Sequence, residues 1–74
     1  MSEQRQEMGL REQMLEVLLE HIDADPYPSV TQLDYAEQLL TPETKDAYAQ
    51  VLMDKIRSDA FPSLDLMKRV LALA

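Results

Sequence analysis

An internal repeat constrains the fold of this 74-residue chain more than any other feature of its sequence. Shifting the sequence by 34 positions aligns residues 17–33 with residues 51–67, where six of the 17 pairs are identical and five are close substitutions. Unrelated sequences would share about one identity over this length. Because repeats of this period usually correspond to stacked supersecondary units, we predict a single domain, 1–74, with one unit over about 8–40 and another over about 42–74, and residues 1–7 disordered.

The first unit is predicted to be a helix, a proline-containing loop and a shorter helix. Its first helix carries apolar side chains at helical spacings over a wide arc, which indicates contacts on more than one side. These side chains are Met14, Leu15, Val17, Leu18, Leu19 and Ile22. Pro26 and Pro28 end this helix, since proline lacks a backbone donor and restricts the residue before it. Ser29 then provides an N-cap, and Gln32 completes a capping-box pattern.

The remaining helices follow from the same signals. The second helix, about 30–40, is expected to pack through Val30, Leu33, Ala36 and Leu40. Thr41 as N-cap and Pro42 at the first helical position predict the start of a third helix that runs to about Ser58. Its apolar face contains Tyr48, Val51, Leu52, Met53 and Ile56. Ser63 is expected to begin a fourth helix as Ser29 begins the second, so the fold class is all-α, with four helices in a compact bundle.

The small size of the chain limits its stability. A folded chain of this length buries only about 60% of the surface that its unfolded form exposes. It contains no cysteine, so disulfides and thiolate metal sites are excluded and a cytoplasmic location is the simplest expectation. Self-association is then the common remaining source of stability, and a homodimer is plausible.

Charge is concentrated in the first half of the chain. Residues 1–37 contain nine acids and two bases, whereas residues 38–74 contain five of each, for a net charge of -7 overall. This balance argues against direct binding to nucleic acid or to an anionic membrane. Residues 1–7 lack the apolar stretch of a secretory signal, and no apolar run approaches the ~20 residues that a membrane span needs.

Residues that support catalysis or metal binding are scarce. His21 is the single histidine, and a histidine near the end of a helix more often interacts with the helix dipole than with a metal. Gly9 is the single glycine, which excludes a glycine-rich phosphate loop. We therefore expect no enzyme activity, no metal, no cofactor and no small-molecule substrate.

The two short helices differ most between the units. Gln32 and Glu37 of the second helix correspond to Leu66 and Leu71 of the fourth. The fourth helix is therefore predicted to be apolar around most of its circumference, more than one intrachain face requires. The predicted partner-binding residues are Leu66, Leu71, Leu73 and Arg69. The alternative is that this helix occupies the centre of the bundle.

An aromatic-Pro-Ser element occurs in both units, at Tyr27-Pro28-Ser29 and Phe61-Pro62-Ser63. Its expected role is structural, with the aromatic side chain contacting the first turn of the following helix. A shared recognition surface formed by the two aromatic residues is the alternative.

These observations favour a non-catalytic helical interaction or assembly module. We expect it to self-associate, to bind a partner protein, or to do both, mainly through the fourth helix. The alternative function is an acidic regulator that occupies a basic protein surface, in the manner of a nucleic-acid mimic, through Glu12, Glu16 and Glu20.

Overall fold

The described part of the chain is entirely helical. The structure is a computed structural model that describes residues 9–60 and 63–74. Four helices follow one another in these residues: α1 (Leu10–Ala24), α2 (Val30–Leu39), α3 (Lys45–Ser58) and α4 (Leu64–Leu73). The all-α class predicted from the sequence is thereby confirmed. The expected disorder of residues 1–7, and Phe61 and Pro62 of the second aromatic-Pro-Ser element, lie outside the described residues.

The helices associate in consecutive pairs. α1 contacts α2, and α3 contacts α4. The chain divides into two compact units, Met1–Leu40 and Thr41–Ala74. Each unit therefore contains one longer helix, a loop and one ten-residue helix.

The loop of the first unit is ordered by one aspartate. The backbone N–H of Asp25 donates to the carbonyl oxygens of His21 (3.1 Å) and Ile22 (3.3 Å), which closes the last turn of α1. Its side chain then accepts a hydrogen bond of 2.9 Å from the backbone N–H of Tyr27. This is the local turn that aspartate side chains favour, and Asp59 occupies the equivalent position in the repeat.

Serine caps begin both short helices, as predicted. Ser29 Oγ accepts from the backbone N–H of Gln32 at 3.1 Å, and Gln32 Oε1 accepts from the backbone N–H of Ser29 at 3.2 Å. Ser63 Oγ accepts from the backbone N–H of Leu66 at 3.3 Å. These bonds satisfy donors that have no partner within the helix.

The start of α3 differs from the predicted one. Regular α-helix begins at Lys45 with Thr44 as N-cap, three residues after the predicted first position at Pro42. The Thr44 N–H and the Lys45 N–H both donate to the Thr41 carbonyl oxygen at 3.0 Å. The first of these bonds is the tighter i to i+3 type. Residues 41–44 therefore form a turn that leads into the helix, and the prediction was wrong by this one turn.

The buried side chains are fewer than the apolar patterns suggested. In the first unit they are Leu15, Leu18, Ile22, Leu33 and Ala36. In the second they are Tyr48 and Leu52. Met14, Val17 and Val30, which we predicted to be packed, are exposed instead. Within the first unit α2 packs against one side of α1, and these three side chains lie outside that contact.

The charged side chains of helix α4 lie on one side of the helix. Residues on a helix are separated by about 100°, so Asp65, Lys68 and Arg69 fall within roughly one third of the circumference. Ala72 falls in the same arc, and the other apolar residues occupy the remaining two thirds or so of the circumference, in line with the prediction that most of it is apolar. None of the ten residues of α4 is buried.

The serine caps give a first prediction. We expect Ser29→Ala to lower the free energy of unfolding by about 1 kcal/mol, because the N–H of Gln32 loses its acceptor. Ser63→Ala should have a similar effect on α4. Urea unfolding followed by circular dichroism measures both.

Ser58→Ala is the matched control, since Ser58 Oγ donates to the Lys55 carbonyl oxygen (3.2 Å) near the end of α3 and caps no N-terminus. Equal stability of Ser29→Ala and the control would contradict the assigned role of the capping box.

Candidate functional site

Two leucines of α4 project into solvent on one face. Leu64 and Leu71 are each 73% exposed, and Lys68, also exposed, lies between them. Positions i, i+4 and i+7 share one face of a helix. We call Leu64, Lys68 and Leu71 the α4 stripe.

The predicted partner-binding residues do not all share this face. Leu71 belongs to the α4 stripe, whereas Leu66 and Leu73, seven residues apart, lie on another side of the helix and are partly buried. Arg69 is on that side as well, with its side chain 12% exposed and its Nε donating to Asp65 Oδ2 at 2.8 Å. Leu64 was not among the predicted residues. The signal for it was its spacing of seven from Leu71.

A groove lies between the two helices of the first unit. It has a volume of about 290 Å³ and is lined by Met14, Leu18, Tyr35, Gln38 and Leu39. Met14 is 49% exposed and Tyr35 is 56% exposed, whereas Leu18 is buried. We call this feature the α1–α2 groove. Its lining is apolar except for the amide of Gln38 and the hydroxyl of Tyr35.

Arginine joins the two helices at one end of this groove. The guanidinium Nη2 of Arg11, in the first turn of α1, donates to the carbonyl oxygen of Gln38 in the last turn of α2 at 3.1 Å. The start of α1 therefore lies beside the end of α2. A cation at a helix C-terminus is favourable because the last carbonyl groups lack partners within the helix.

Three exposed apolar side chains of α1 lie on one face of the helix, and one of them, Met14, also lines the groove. Leu10, Met14 and Val17 occupy positions i, i+4 and i+7, and all three are exposed. Methionine adapts its shape to different contacts, and tyrosine is enriched at protein interfaces. Exposed apolar side chains of α1 and the Tyr35 side chain of α2 therefore lie close together at this surface.

The three glutamates of the predicted acidic face lie in a row on α1. Glu12, Glu16 and Glu20 recur every four residues and are exposed. Glu12 differs from the other two, because its Oε1 accepts a hydrogen bond of 2.8 Å from the backbone N–H of Gly9. It therefore contributes to the start of α1 as well as to the charge of the surface.

Acidic and histidine side chains are spread over the described residues. Within residues 9–60 and 63–74, no three histidine, cysteine, aspartate or glutamate side chains come close enough together to hold a metal ion. His21 is exposed on α1. Over the same residues, no helix has the length and apolar content needed to cross a membrane.

Comparison with known proteins yields no relative. The chain matches no protein-family model, and neither a curated protein nor a solved structure is significantly similar to it.

Glu12 and Glu16, two of the three exposed glutamates of α1, are expected to differ in their effect on stability. We expect Glu12→Ala to lower the free energy of unfolding by about 0.5 kcal/mol, because the first turn of α1 loses both an acceptor and a favourable charge. Glu16→Ala, on the same face but beyond the first turn, is the control and should leave stability nearly unchanged. Urea unfolding measures the difference, and equal effects of the two substitutions would contradict it.

Proposed function

We propose that this protein is a non-catalytic helical interaction module that self-associates through α4. The observation that carries the proposal is the exposure of Leu64 and Leu71, at 73% each, on one face of that helix. Single exposed leucines are common on protein surfaces, but here two lie on one face of one ten-residue helix, on either side of Lys68. Such stripes are typical of protein-protein contacts.

The energetics favour burying this stripe. Complete burial of an exposed leucine side chain is worth about 1.5 to 3 kcal/mol. For a chain of this size, whose folding free energy is expected to be small, two such contributions are substantial. Because α4 contains no buried side chain of its own, an additional contact that buries the stripe would add to the stability of this helix.

The exposed glutamates of α1, Glu12, Glu16 and Glu20, support a second candidate function. The described residues of the first unit carry seven carboxylates and one arginine, and Glu12, Glu16 and Glu20 all face solvent. A basic protein surface would be attracted to this face, which supports an acidic regulator as the alternative. An exposed row of glutamates is, however, also the usual solvated surface of a helix, and this makes the first candidate the stronger one.

Light scattering on a sizing column tests the first candidate. The wild-type chain is expected to increase in mass with concentration, and Leu71→Glu should remain a folded monomer because it places a charge in the stripe. Ala47→Glu is the matched control, since it adds the same charge at an exposed position of α3, outside α4. A wild-type protein that is monomeric at all concentrations would contradict the proposal.

Glutamine substitutions distinguish the second candidate. Glu12→Gln, Glu16→Gln and Glu20→Gln together remove three charges while leaving acceptor oxygens in place. If these three glutamates form the binding surface, the triple variant should lose binding to a basic partner, whereas Leu71→Glu should retain it.

A further inference from the structure

We draw no further inference here: the strongest candidate, the apolar α1–α2 groove of the first unit with the exposed Leu10, Met14 and Val17 beside it, carries none, because nothing in the structure shows what covers it.

Discussion

The two ten-residue helices of this protein depend on packing against a longer helix, and the rest of the structure depends on that packing. Helices of this length are marginal in water on their own, and α2 and α4 are both of this kind. Each gains its first turn from a serine cap and its apolar contacts from the longer helix that precedes it in the chain. The loop between α1 and α2, ordered by the side chain of Asp25, lets the chain reverse over a few residues.

The two units resemble each other in sequence but distribute their burial differently. Helix α2 contributes two buried residues, Leu33 and Ala36, whereas α4 contributes none. In the first unit the short helix α2 therefore contributes side chains to the core. In the second unit the short helix α4 keeps its apolar side chains at or near the surface. A duplicated unit can diverge in this way because capping and loop residues preserve the local structure while the exposed positions change.

The exposed apolar side chains are the feature with the clearest functional meaning. They include Leu64 and Leu71 of the α4 stripe and Leu10, Met14 and Val17 of α1, beside the α1–α2 groove. In a chain of this size, burying such surface in an assembly contributes stability that the core alone does not supply. Function and stability would then depend on the same contacts, which is common in small proteins that act as oligomers.

The sequence alone determined the helical class, the four helices of the described residues and the positions of the serine caps. These features depend on neighbours a few residues away, as with Ser29 and Gln32, and they need no knowledge of the fold. The start of α3 was missed by one turn, because Thr41 and Thr44 both offer side-chain hydroxyls and the choice between a tight turn and regular helix depends on small differences in geometry.

Only the tertiary structure decided which apolar residues are exposed. Leu64 and Leu66 are both leucines in the first turn of α4, yet Leu64 is exposed and Leu66 is partly buried. Similarly, Met14 and Leu18 belong to one apolar arc of α1, yet Leu18 is buried and Met14 is half exposed. Exposure depends on which side of a helix faces its neighbour, a choice set by the contacts of the whole unit. For this reason the candidate surfaces emerged from the fold, while the helices that carry them were predictable from the sequence.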